Sequence, residues 1–510
     1  MRVGSVNSMK LNIFKINDDN LVPLINKLKD VGLQLENVQE TNGWELQFYF
    51  SEEPTGAEPG WLLPLKFLLP DNTFEARSYF AAVCAKSDNH IFIISYGKSH
   101  FYIRPFCDHN FGIEVAKRII DASSVASTSE KFFQSKQKKG IKNFNSNAEL
   151  NVAPGNSVDY VQGSIREQFV EQLGKVGKFG QSCQISVEID YFQIPEVLDC
   201  LINVLESDPI VPIPRTEIIE DEQTISRLEK QLYSAVRGGS KSELVSVSAY
   251  TLSGVDFVFS PDDQYQICLR RTKSPLYDDL EIERIRGFIV GNKIADMDLP
   301  NVKIRVFSDG IQKITKNLID FLEFTPDDER IVLTEGRWRE FNQDYLNMLD
   351  FHVDRIPVVP CENEFSVIPC DLIEKEFNIR AEKLGYINGD RDFSNLKTKG
   401  KAPTEAWDLR KGNVLFAVKF GSASKLGYVV DQSMSVIDLL RNGASTNYSD
   451  KIEKYCLWLG FERQTPVSRI SEVKSIILKQ KIEAWARHCR DAGVSPQLKL
   501  CRKEPKPKGT

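Results

Sequence analysis

The sequence predicts a multidomain protein of mixed α/β and α+β class, and three observations carry that prediction. At 510 residues the chain exceeds what a single hydrophobic core usually supports. Apolar residues make up 41% and charged residues 27%, an ordinary globular balance, with 30 Phe, 15 Tyr and 6 Trp to fill the cores. Runs that alternate with period two are interleaved with runs of helical period, so strands and helices are mixed along the chain.

Residues 9–165 read as an N-terminal α+β domain with a basic loop. Lys10–Ile16 alternates as a strand, and Leu21, Leu24, Ile25 and Leu28 recur at helical spacing. Further strands are expected at Trp44–Phe50, Tyr79–Ala85, Ile91–Tyr96 and Phe101–Arg104. A turn at Gly97–Ser99 would make the last two a hairpin. Phe111–Ile120 reads as a helix. Residues 126–165 show weak periodicity, and Lys131, Lys136, Lys138, Lys139 and Lys142 are interleaved with Phe132, Phe133 and Phe144. Positive charge mixed with aromatic rings suits a stacking surface for single-stranded nucleic acid. A solvated loop anchored by a few Phe side chains explains the same residues and is the preferred reading.

Residues 166–300 form the expected middle mixed domain. Gln184–Asp190 alternates as a strand, Ile194–Leu205 follows as a helix, and Pro209, Pro212 and Pro214 mark a linker or rigid turn. Residues 217–237 look helical and Tyr265–Arg270 look like a strand. This region holds no phosphate-binding glycine loop and no His-Glu-x-x-His motif.

Residues 301–465 form the third expected domain, and its motifs are the ones that bear chemistry. Ile331–Phe341 reads as strand, turn at Gly336 and strand, followed by a helix over Asp344–Val353. A helix over Asp371–Leu384 places Ile373, Phe377, Ala381 and Leu384 on one face, with Glu374 beside it. Glu405, Trp407 and Asp408 precede a turn at Lys411 and Gly412, the strand Val414–Phe420 and a helical run over Gln432–Leu440. Residues 466–510 are expected as an amphipathic helix over Ile470–His488 and a basic solvated tail with Lys499, Arg502, Lys503, Lys506 and Lys508.

Charge and cysteine usage narrow the function classes. A net charge of −6 provides no global attraction to nucleic acid or acidic membranes, so any such binding needs a local patch. The ten cysteines are scattered and none stands in a Cys-x-x-Cys pair, which argues against a zinc ribbon or a disulfide framework. The five histidines are dispersed and specify no metal site. No run reaches the roughly 20 apolar residues of a membrane helix, so no membrane partner is expected and a cytoplasmic location is.

The order helix Glu374, Asp408 before one strand, and Lys419 near the end of the next resembles the PD-(D/E)XK nucleases. The resemblance implies a restriction-endonuclease-like α/β domain in which carboxylates at the ends of two paired strands hold Mg²⁺ and a lysine steadies the attacking water or developing phosphate charge. It assigns Asp408 as metal ligand, Lys419 as catalytic lysine, Glu374 as helix carboxylate and Gln432 as an auxiliary group. The second metal ligand of that pattern would stand two residues before the lysine, where this chain has Ala417, and Glu405 is the alternative carboxylate. The implied substrate is DNA or RNA. Reading the same residues as a turn aspartate and an exposed strand lysine gives a non-catalytic binding or scaffold protein.

A broader likeness runs through Phe111 and Gly112, Gly336–Phe341, Glu374–Asn378, Glu405–Leu409, Leu415–Gly421 and Leu426–Ser433. In these segments the chain resembles a sporadically distributed bacterial family of unknown function, about 500–550 residues long. The family's patchy occurrence, like that of mobile-element and phage-defence genes, implies a defence context. A homo-oligomer or a partner from a defence system is expected. It brings no established catalytic residues.

Overall fold

The strand Met9–Ile16 buries Leu11 and Ile13 in one apolar cluster and Phe14 and Ile16 in another, so it lies inside a sheet covered on both faces. The computed structural model describes residues 8–51, 55–57, 76–133, 139–239, 243–246, 252–253, 256–257, 264–308, 310–326, 329–389, 396–397, 407–441, 445–446 and 452–505. It is a mixed helix-and-sheet protein that divides into two units, Met1–Arg215 and Thr216–Thr510.

The first unit is built on a ten-stranded antiparallel sheet. Its strands run in the order Leu33–Thr41, Trp44–Ser51, Ala81–Lys86, Ile91–Tyr96, Met9–Ile16, Cys183–Val187, Val176–Phe179, Asn156–Ile165, Ile120–Phe132 and Lys139–Ala148. The helix Asp18–Asp30 packs Leu24 and Leu28 on one face, while Phe111–Ile119 and Ile194–Glu206 cover the other. Gly112 sits so close to the loop after Phe179 that an added Cβ would lie 2.3 Å from Ser182 O.

Two elements of this unit differ from the sequence expectation. The strand expected at Phe101–Arg104 is instead the short helix His100–Ile103 followed by a 3-10 turn, and Gly97–Ser99 is itself a 3-10 turn. Ile91–Tyr96 is already paired on both sides, by Ala81–Lys86 and Met9–Ile16, so no edge remains for a hairpin partner. The weakly periodic residues 126–165 hold long antiparallel strands. Their register shifts between Val158 and Tyr160 and again between Gln162 and Gly163, which breaks the period-two pattern.

The second unit contains three larger sheets. The five-stranded sheet orders Thr216–Ile218, Arg337–Phe341, Ile331–Thr334, Leu322–Thr325 and Glu243–Ser246. The four-stranded sheet orders Thr272–Lys273, Gln264–Leu269, Lys303–Ser308 and Ile311–Asn317. Residues of both contribute to one apolar cluster with the helices Glu222–Val236 and Ile282–Gly291. The six-stranded sheet orders Val367–Ile368, Ser495–Lys503, Lys454–Glu462, Val414–Gly421, Leu409–Lys411 and Ile387–Asn388. Its three long strands are mutually parallel, and Leu409–Lys411 runs antiparallel to Val414–Gly421. The helices Ala423–Arg441 and Ile476–Asp491 make the crossovers between the parallel strands, as parallel pairing requires.

Strand pairings cross each boundary expected from sequence. Residues 156–187 belong to one sheet across 165/166, Gln264–Leu269 pairs with Lys303–Ser308 across 300/301, and Lys454–Glu462 pairs with Ser495–Lys503 across 465/466. The expected tail is a strand as far as Lys503, with Lys499 only 5% exposed, and Lys506 and Lys508 lie outside the described residues. Among the described residues no helix is long and apolar enough to cross a membrane.

Candidate active site

The strand Val414–Gly421 is apolar almost throughout because both its faces are covered. Phe416, Val418 and Phe420 enter an aromatic core with Phe377 and Trp458, while Leu415, Ala417 and Lys419 project to the other side. Its parallel neighbour Lys454–Glu462 accompanies it along its whole length. Its antiparallel neighbour Leu409–Lys411 stops opposite Phe416, leaving that edge without a strand partner among the described residues beyond this point.

Two carboxylates take over where the neighbouring strand stops. The Val418 N–H donates to Asp408 Oδ2 at 2.6 Å, and the Phe420 N–H donates to Glu374 Oε1 at 3.1 Å. Lys419, on the residue between, donates through Nζ to Glu374 Oε2 at 3.2 Å. Asp408 is itself held by its own N–H on Phe416 O at 2.9 Å, and Glu374 by the first turn of the helix Glu374–Glu382. Val418 and Phe420 are 3% and 4% exposed, so each carboxylate satisfies a buried donor that would otherwise be unpaired. Lys419 and Glu374 keep about a third of their side-chain surface, so the cluster is reachable from solvent.

Sequence order therefore placed three residues, Glu374, Asp408 and Lys419, on one short strand edge. Gln432 is exposed on the helix Ala423–Arg441, and no hydrogen bond or ion pair joins it to the cluster. Glu405 lies outside the described residues. One helical turn on from Glu374, Asn378 is 1% exposed and its amide finds no hydrogen-bond partner among the described residues.

The basic run of the first unit is distributed along two strands. Lys131 is buried with Nζ 3.9 Å from Asp159, Lys139 also pairs with Asp159, and Lys142 pairs with Glu130 at 2.7 Å. Burial raises the Asp159 carboxyl, but Lys131, Lys139 and Arg215 outweigh it and hold the group down at about 2. These lysines are bound to internal acids, so they do not form a patch of uncompensated charge. Lys136 and Lys138 lie outside the described residues. Beside the strands Val176–Phe179 and Cys183–Val187 of the same sheet, a cavity of about 960 Å³ mixes Lys10, Lys175 and Lys178 with Glu171 and Glu188.

One cluster was not found by sequence reasoning. On the strand Ser495–Lys503, Lys499 Nζ donates to both oxygens of Glu362, at 2.9 and 2.7 Å, and to Tyr386 Oη at 2.9 Å. Its ammonium stands 4.1 Å from the centre of the Trp458 ring, a cation–π contact inside the protein. Burial raises the Glu362 carboxyl, yet the hydrogen bonds from Lys499 and Tyr386 prevail and keep it below its ordinary value. The alternation Leu498, Lys499, Leu500, Cys501 was the available signal, obscured by the basic composition of the segment.

Among the described residues no group of three or more His, Cys, Asp or Glu is placed to hold a metal ion. Mg²⁺ retains several waters and commonly takes one or two protein carboxylates, so Asp408 and Glu374 match it in number and in oxygen chemistry. Among comparisons with known proteins, a model of a family of unknown function, DUF6119, matches residues 12–478. No curated protein and no solved structure matches the chain.

Proposed function

The chain belongs to the DUF6119 family of unknown function, and we propose that its C-terminal sheet forms a restriction-endonuclease-like domain that hydrolyses phosphodiester bonds of DNA or RNA with Mg²⁺. The observation that carries this reading is the meeting of Glu374, Asp408 and Lys419 along the edge of Val414–Gly421. Asp408 and Glu374 would hold the ion, which when bound would supply Lewis-acid stabilisation of the phosphate and a more acidic water. Lys419 places a cation where charge develops on the phosphate oxygens, and its contact with Glu374 holds the ammonium at the site. We place this activity in an effector of a bacterial defence or mobile-element system, acting on nucleic acid rather than on a membrane.

A second reading, a non-catalytic binding or scaffold protein, is favoured by one observation. Ala417 stands at the position of the second carboxylate, and the two carboxylates present already accept buried strand N–H groups. Metal titration separates the two. The nuclease reading expects calorimetric binding of Mg²⁺ or Mn²⁺ to the full chain that Asp408→Asn weakens at least tenfold. Binding that Asp408→Asn leaves unchanged, or no binding at all, favours the scaffold.

A further inference from the structure

Residues 357–362 run beside the last strand of the six-stranded sheet. Val358 bridges Leu498 in the parallel sense, Leu498 N–H donates to Pro357 O at 2.9 Å, and Val359 N–H donates to Leu498 O at 2.8 Å. Three residues on, Cys361 lies beside Cys501, its Sγ reaching the carbonyl of the residue that precedes it. Both cysteines belong to the apolar core around Trp458. Cys361 Sγ donates to Leu500 O at 3.4 Å, and Cys501 Sγ to Leu459 O at 3.6 Å.

The two sulfurs are unequal. Cys501 is 2% exposed, whereas Cys361 is only half-buried and reachable by a small oxidant. The neighbouring Cys501 thiol lowers the Cys361 thiol below its ordinary value, burial opposes this, and the Lys499 ammonium adds to the lowering. The nearness of Cys361 raises the Cys501 thiol, with burial second. Burial likewise pushes up Cys183, Cys200, Cys456 and Cys489.

We propose that Cys361 and Cys501 are a hydroperoxide-oxidised dithiol that closes reversibly to an intramolecular disulfide, with Cys361 attacking the oxidant and Cys501 resolving. The Cys361 thiolate attacks one peroxide oxygen, the O–O bond breaks, and the leaving oxygen departs as hydroxide and takes up a proton. The product is a Cys361 sulfenic acid, two electrons having passed from sulfur to peroxide. Cys501 then loses its proton and attacks the Cys361 sulfur; the S–S bond forms, the S–O bond breaks and water leaves. Two equivalents of a small thiol reverse the change. This holds whether or not the phosphodiesterase reading does.

The test is peptide mapping without reductant, on the full chain treated with hydrogen peroxide and then alkylated. The expected result is a peptide joined through Cys361 and Cys501, loss of two of the ten thiols, and return of both with dithiothreitol. The closed form should melt several degrees higher, because a long loop is cross-linked. In Cys501→Ser, dimedone should label Cys361; in Cys361→Ser, Cys501 should remain reduced. A wild-type map in which Cys361 stays reduced while other thiols oxidise, or in which it pairs with Cys456, overturns the proposal.

Discussion

At the scale of the residue, Asp408 and Glu374 have two roles that substitution can separate. Each accepts a buried strand N–H, and each brings negative charge to Lys419 or the space beside it. Asp408→Ala leaves the Val418 N–H unpaired and is expected to cost about 1–3 kcal/mol in urea unfolding, whereas Asp408→Asn keeps an acceptor and should cost less than about 1 kcal/mol. Equal losses in the two variants would mean that charge, not edge capping, holds this residue. Glu362 makes a pH prediction. Its folded carboxyl is lowered, so the stability it adds is fully present above the unfolded value of about 4.3 and is lost as pH falls through the folded value. The stability gap between wild type and Glu362→Gln should therefore be widest near neutrality and close in acid; a gap independent of pH would contradict the ion pair with Lys499.

At the scale of the element, Gly112 is the clearest case of a sequence choice imposed by packing. With Ser182 O 2.3 Å from the position of an added Cβ, Gly112→Ala should move the helix Phe111–Ile119 from its seat and destabilise by about 1–3 kcal/mol, read by thermal or chemical unfolding. An unchanged melting temperature would place the helix differently. Elements were legible where period and burial agree: Met9–Ile16, Ile194–Glu206, Val414–Gly421 and the hairpin Ile331–Phe341 all follow from apolar spacing. They were illegible where pairing partners or register decide. Phe101–Arg104 has strand-like residues but its expected partner Ile91–Tyr96 has no free edge, and the strands of residues 120–165 carry bulges and buried polar side chains such as Glu130 and Ser129. The candidate site shows the same division. The order Glu374, Asp408, Lys419 was visible as a motif, but the capping of Val418 and Phe420 depends on where a neighbouring strand ends.

At the scale of the whole molecule, the six-stranded sheet draws its strands from Val367–Ile368 through to Ser495–Lys503, so its core closes only when the last strand is in place. A chain ending at residue 465 loses Ile476–Asp491 and an interior strand; it should expose the Trp458 core and be cut there by low protease, while resistance equal to the full chain would contradict this topology. The net charge of −6 supplies no general hold on nucleic acid, so an activity on it must come from a local site such as the edge of Val414–Gly421. The most direct measurement is the rate at which the full chain cuts end-labelled DNA and RNA in Mg²⁺, compared with Lys419→Ala of matched melting temperature. The phosphodiesterase account predicts cutting that chelation stops and that Lys419→Ala slows by about 10²–10³-fold. No cutting of either nucleic acid, or cutting at the same rate without the Lys419 ammonium, would contradict it.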